Sequence, residues 1–326
     1  MRKEFLAVAV VGMLAAAMGS AMEVAEPPLR PRTIGVIQLT AVDQRTLAGF
    51  KEGLSARGYR DGESINYLYE GPAGKVDRLD QMITEVLRLT PDLILASSTP
   101  ATIAAVRATQ VSKVPIIFAP VNDPTGAGVV PDLAHPGGHV TGVRLPTGDD
   151  LRLQWLMRVA PHVREAFVPY NPNDRSSMTS VSVASKAALE LGIALNLQPV
   201  ADRTALAEAL QHLPPTCQAI FLPRDSMVES AIDDIVRAAN RRNMPISAPS
   251  AQQVDRGATV SYGFRHDEIG ERAARLAAQV LQGISPGDIP VESAESWLTI
   301  NLKAARTIGL DVSDEVLALA DLVIRD

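Results

Sequence analysis

One pattern governs what this chain can fold into. Short apolar strands alternate with amphipathic helices, and the alternation runs twice. Residues 33–39, 64–69, 92–96, 114–119 and 140–145 read as strands. Between them Leu47, Phe50 and Leu54, then Val76, Leu79, Ile83 and Val86, fall at helical spacing. The pattern restarts with helices at 151–159, 176–191, 203–212 and 227–242, separated by strands at 166–170, 193–200, 218–222 and 245–248, with a last strand at 258–262. A strand with no polar face must be covered on both sides, so helices flank a parallel sheet. The expected fold is therefore α/β, two doubly wound parallel-sheet lobes with a ligand cleft between them. A helix at 266–282 and a strand at 297–302 follow the second run, so the chain is expected to cross back. This assigns 33–143 with 264–285 to the first lobe, and 144–263 with 286–326 to the second. The length, 326 residues, suits two such domains.

Several function classes fall away. Lys and Arg number 31 against 37 Asp and Glu, a net charge of −6, and no basic stripe exists, so nucleic acid is not an expected partner. The single cysteine, Cys217, excludes a disulfide within the chain and a multi-cysteine metal site, and it is expected to be a small buried residue. Histidines 135, 139, 162, 212 and 266 lack ligand spacing. HExxH, GxSxG and GxxxxGK[ST] are absent, and Gly126-Ala127-Gly128 lacks the third glycine of a dinucleotide loop. No cofactor, metal or catalytic residue is expected. Trp155 and Trp297 are expected to pack on element faces. At the amino end, Arg2 and Lys3 precede an apolar run over 5–18 and the small residues Gly19, Ser20 and Ala21. The run is shorter than the ~20 residues of a membrane span and reads as a secretory signal cut after Ala21. Met22, not a cysteine, stands directly after the cut, so the expected product is periplasmic and not lipidated. Residues 22–32, with three prolines, read as a leader.

In open α/β sheets ligands bind beyond the carboxyl ends of strands. The chain places polar residues there in both halves. Ser97, Ser98 and Thr99 precede Pro100 at a helix start, which presents free N–H groups to a carboxylate. Asn122 and Asp123 follow the strand at 114–119, where an Asx turn is the alternative. In the second half Asn171 and Asn173, then Arg224 and Asp225, then Ser250 and Tyr262, occupy equivalent positions. Ser226 and Glu229 have the spacing of a capping box, which leaves Asp225 spare for a ligand amine.

Five segments also carry a family resemblance. IGVIQ at 34–38, ASSTPA at 96–101, VNDP at 121–124, PGGHVTG at 136–142 and LALADLVI at 317–324 occur in an order similar to exported substrate-binding proteins of ABC importers, the tryptophan/tyrosine-type group. The resemblance spans 33–326 and implies the type I periplasmic-binding-protein fold, two lobes joined by crossing strands. It implies that a small polar ligand, an amino acid or related carboxylate, is captured by lobe closure and passed to an ABC permease. Ser97, Ser98 or Thr99 would then meet the ligand carboxylate. Asn122 and Asp123 would line the cleft, with Asn171, Asn173, Asp225, Ser250 and Tyr262 facing them. The chain departs from the pattern at His139, at 261–264 and at Arg224, which adds a cation near the cleft. A receptor for a membrane sensor and an enzyme on the same fold are the alternatives.

Overall fold

In the computed structural model, residues 30–146 and 148–326 are described. The expected signal segment at 1–21, and the leader as far as residue 29, lie outside them. The first run gives β1 (Arg32–Gln38), α1 (Gln44–Ser55), β2 (Ile65–Leu68), α2 (Leu79–Arg88), β3 (Leu93–Ser97), α3 (Thr99–Ala108), β4 (Ile116–Val121) and β5 (Val140–Arg144). The second gives α4 (Asp149–Val159), β6 (Glu165–Tyr170), α5 (Arg175–Leu191), β7 (Ala194–Pro199), α6 (Arg203–Gln211), β8 (Ala219–Phe221), α7 (Ser226–Ser230), α8 (Ile232–Asn240), β9 (Ile246–Ser250), α9 (Ala251–Asp255) and β10 (Val260–Phe264). The chain then returns through α10 (His266–Leu281) and β11 (Glu292–Ser293), and finishes with β12 (Trp297–Asn301), α11 (Leu302–Thr307), α12 (Asp314–Leu317) and β13 (Leu322–Ile324).

These strands form two sheets, ordered β11-β5-β4-β3-β1-β2 and β13-β12-β10-β9-β8-β6-β7. The first is parallel throughout. Its four inner strands, β1, β3, β4 and β5, bury both faces, as their apolar runs require, and the edge strands β2 and β11 are partly exposed. Ile34, Val36, Leu93 and Leu95 pack under Phe50, Leu54 and Ile269, while Ile37, Ile94, Ala96 and Phe118 pack under Leu79, Ile83 and Ala105. The second sheet is parallel except at β12, which runs antiparallel to β10. The cause is the crossing: the chain re-enters at Trp297 opposite Gly263, near the carboxyl end of β10, and can only run back along it.

The expected boundary at Pro286 is corrected by the sheet. Glu292 and Ser293 pair with Val143 and Arg144, Gly137 N–H donates to the Gly287 carbonyl at 3.1 Å, and Thr141 Oγ1 donates to the Ile289 carbonyl at 2.7 Å. Residues 286–293 therefore belong to the first lobe, and the third crossing lies at 294–296. The other two lie between β5 and α4 and at Arg265. Helices α1 and α10 meet through glycine in the first lobe. A Cβ on Gly49 would stand 2.2 Å from the Asp267 carbonyl oxygen, and one on Gly270 2.1 Å from that of Thr46. This close approach fixes where α10 begins, and hence where His266 stands.

Candidate functional site

The carboxyl ends of β1, β3 and β4 in one lobe face those of β6, β8 and β9 in the other. In the first lobe, β3 ends at Ser97 and the chain turns sharply into α3. Ser98 sits at φ 83° and ψ 153°, backbone space that side-chain-bearing residues rarely enter, at about 1–3 kcal/mol. Its Oγ accepts from Ala101 N–H at 3.4 Å, so Ser98 caps the helix. At the end of β1, Gln38 Nε2 donates to the Asp43 carbonyl at 2.7 Å while its Oε1 accepts from Tyr69 at 2.7 Å. That pins the short turn carrying Asp43. Burial pushes the Asp43 carboxyl up to about 7; His266 opposes the rise and Glu229 adds to it. His266 opens α10, with Nδ1 3.0 Å from Thr46 Oγ1 and Nε2 3.1 Å from Glu229 Oε1. Burial alone would depress its pKa, but the carboxylates of Glu229 and Asp43 hold it above the usual value.

The second lobe contributes a charged layer. Arg152 is wholly buried, lies over the Phe221 ring at 4.1 Å, and donates to the Leu222 carbonyl and Asp149 Oδ1, both at 2.5 Å. Burial pulls its pKa down to about 10. Asp149 also accepts from Arg224 Nε at 3.3 Å. Burial would raise Asp149, yet Arg224 and Arg152 together hold it below the ordinary carboxylate range. Both terminal guanidinium nitrogens of Arg224, although buried, have no hydrogen-bond partner among the described residues. Glu229 Oε1 also accepts from Ser250 Oγ at 2.9 Å.

These groups meet at one cavity of about 30 Å³, lined by Asp43, Ser98, Thr99, Asn122, Ser176, Arg224, Asp225, Glu229 and His266 among others. The space is roughly that of one water. The lobes touch around it. Asn122 Nδ2 donates to the Ser176 carbonyl at 3.2 Å, Arg175 Nη1 to the Ala127 carbonyl at 3.2 Å, and Gln252 Nε2 to Asp267 Oδ1 at 3.2 Å.

Of the ten residues picked from the sequence, Ser98, Thr99, Asn122 and Asp225 line this cavity. Ser97 lies beneath it, buried, its Oγ without a partner among the described residues. Asp123 instead accepts from Gly126 N–H at 2.9 Å in an Asx turn, and with Asn173 borders a separate outer groove. Asn171 lines another groove, and its Oδ1 accepts from Asn173 N–H at 2.9 Å. Ser250 holds Glu229, and Tyr262 packs against Trp155 with ring centroids 6.3 Å apart.

Two local expectations are corrected. Asp225, not Ser226, is the N-cap of α7: its Oδ1 accepts from Met227 and Val228 N–H at 3.0 and 3.1 Å, and its Oδ2 from Asn171 N–H at 2.9 Å. Its carboxylate is thus committed to backbone, whereas Glu229, expected in the capping box, reaches His266. Sequence reasoning missed Asp43, Asp149, Arg152, Glu229 and His266. Cys217 is buried, and burial pushes its thiol up to about 12.

The profile of the ABC transporter substrate binding protein family matches residues 33–324. A tyrosine-binding protein of Clostridioides difficile is 28% identical over 284 residues, 86% of this chain and 82% of the relative. A solved domain from Vibrio cholerae superposes with a TM-score of 0.86 at 29% identity, over 90% of this chain and 100% of that one. An ABC domain from Streptococcus pneumoniae, in complex with L-Trp, superposes at 0.84 with 26% identity, over the same shares. Two parallel-sheet lobes, a polar cavity between them and a profile match along nearly the whole described chain place this protein in the ABC transporter substrate binding protein family, whose members bind solutes rather than transform them.

Proposed function

We propose that this protein is exported to the periplasm, closes its lobes on a small amino acid or related carboxylate, and delivers it to an ABC permease. The observation that carries the reading is the convergence of polar groups from both lobes on one buried cavity, ringed by direct lobe-to-lobe hydrogen bonds. A solute touching both sides stabilises the closed state by its differential affinity, which is the work such a fold performs. In this reading the first lobe takes the head group. The carboxylate sits at the N-terminus of α3 with Ser98 and Thr99, where N–H groups and the helix dipole favour it. The amine sits at Asp43, whose buried carboxyl is opposed by His266 across the cavity and gains a second cation when the solute enters. Asp225 shapes this wall by capping α7. The named ligands of the relatives, tyrosine and L-Trp, both carry such a head group. The test is mass spectrometry of solute released from protein purified out of the periplasm, with small-angle scattering before and after that solute is restored. A carboxylate-bearing solute and compaction are expected. A protein that carries no such solute and keeps the same dimensions with every amino acid supplied refutes the proposal.

A further inference from the structure

The strongest unexplained feature is Arg224. Its side chain is 2% exposed and lines the cavity from the second lobe. Only its Nε is engaged, on Asp149; Nη1 and Nη2 have no partner among the described residues. A guanidinium buried with four of its five N–H donors unused is costly, and it is the side chain best shaped to take a carboxylate through two parallel N–H bonds.

The neighbouring carboxylates do not supply that partner. Asp149 is shared with Arg152, so one carboxylate stands between two guanidinium groups and a positive charge is left over. Asp225, next in sequence, is taken up by three backbone N–H groups. Glu229 is engaged by His266 and Ser250. Asp43 belongs to the opposite lobe and is pushed toward its neutral form by burial. Among the described residues Phe264 and His266, edge to face at 5.1 Å, are the only aromatic rings on this wall, which gives an aromatic side chain little to stack on.

We infer that Arg224 is a specificity-determining residue that pairs with a second carboxylate on the solute, so that the protein selects acidic amino acids over aromatic ones. This rests on the head-group placement proposed above and adds the side-chain end. The first lobe holds the α-amino and α-carboxylate groups, and the second lobe closes when Arg224 reaches the side-chain carboxylate. The solute then supplies the anion that the Arg152–Asp149–Arg224 layer lacks.

The probes are L-glutamate, L-aspartate, L-glutamine, L-tyrosine and L-tryptophan, titrated calorimetrically into the mature protein freed of bound solute by unfolding and refolding. At least one acidic amino acid is expected to bind ten times or more tighter than the other three. Arg224→Gln is expected to lose that affinity at least tenfold and to narrow or reverse the preference for L-glutamate over L-glutamine, measured at a temperature where circular dichroism shows the variant folded. Arg224→Lys is expected to keep part of it, because the charge remains and the fork does not. Tighter binding of L-tyrosine, L-tryptophan or L-glutamine by the wild type overturns the acidic assignment, and leaves solute capture standing if that amino acid compacts the protein. Failure of both acidic probes to bind overturns it as well. So does an Arg224→Gln variant whose affinity for them stays within twofold. If none of the five binds and no solute co-purifies, the proposed function itself fails.

Discussion

Arg152 is the largest fully buried side chain of the described chain, and its charge is held by one carboxylate, one carbonyl and one ring. Replacing it with alanine leaves Asp149 with a single cation and the Leu222 carbonyl without its donor. Breaking a buried pair from one side typically costs about 3–5 kcal/mol, and denaturant unfolding of Arg152→Ala is expected to read a loss of that size. Asp43 makes a different prediction. Its folded carboxyl titrates at about 7 against 3.8 for the free side chain, so between those values the folded chain holds a proton that the unfolded chain releases. Its contribution is therefore fully present below pH 3.8 and is lost as pH rises toward 7, by up to about 1.4 kcal/mol per pH unit. The charged groups facing it are His266, from α10, and Glu229, from α7. Burial works against His266, but Glu229 and Asp43 hold it above its ordinary value, while Arg224 and Arg152 outweigh burial and hold Asp149 below its own. Asp174, also raised to about 7, contributes in the same direction. Urea midpoints are expected to fall from pH 4.5 to 6 in the wild type, and to fall less steeply in Asp43→Asn. An equal slope in both would remove Asp43 as a source.

Helix α1 and helix α10 test how tightly one element sets another. Gly270→Ala puts a methyl group 2.1 Å from the Thr46 carbonyl oxygen, and backbone must shift to admit it. Overpacking of this kind costs about 1–3 kcal/mol, expected as a lowered melting temperature. The shift also moves His266, four residues earlier on the same helix, so affinity for the bound solute is expected to drop together with stability. At this scale much was legible in the sequence. The strand–helix alternation and the polar strand exits gave the lobes and four cavity-lining residues. The two-residue strand β11 is too short to show a period, and the direction of β12 follows from a crossing that periodicity does not encode. Which side chain caps α7 turned on a shift of one residue, Asp225 against Ser226, and the Asp225 carboxylate is also held by Asn171 N–H from a distant strand end. Asp149 and Arg152 stand at helical i,i+3 spacing, but the helix was read only from residue 151, and nothing in the local pattern signals that the pair is buried.

For the whole molecule, the bonds that Asn122, Arg175 and Gln252 make from lobe to lobe are the ones that the proposed lobe closure must make and break. Asn122→Ala removes the donor to the Ser176 carbonyl across the cleft. A neutral hydrogen bond contributes about 0.5–1.5 kcal/mol, so affinity for the solute is expected to fall roughly two- to tenfold. Scattering should show larger dimensions for the solute-free variant than for the solute-free wild type; identical dimensions would mean that this bond does not hold the lobes together. The separation of roles is also visible at this scale. Each lobe has its own apolar core on both sheet faces, while charged residues gather where the two meet.

The chain has two tryptophans, and both stand beside its crossings. Trp155 packs on Tyr262, whose ring borders Gly148 at the entrance to the second lobe. Trp297 follows the third crossing, and its Nε1 donates at 3.0 Å to Glu268 Oε2 on α10, a helix of the other lobe. Any rotation of one lobe on the other alters the surroundings of an indole. The protein therefore carries its own optical gauge, and its unlabelled emission should follow solute capture in real time.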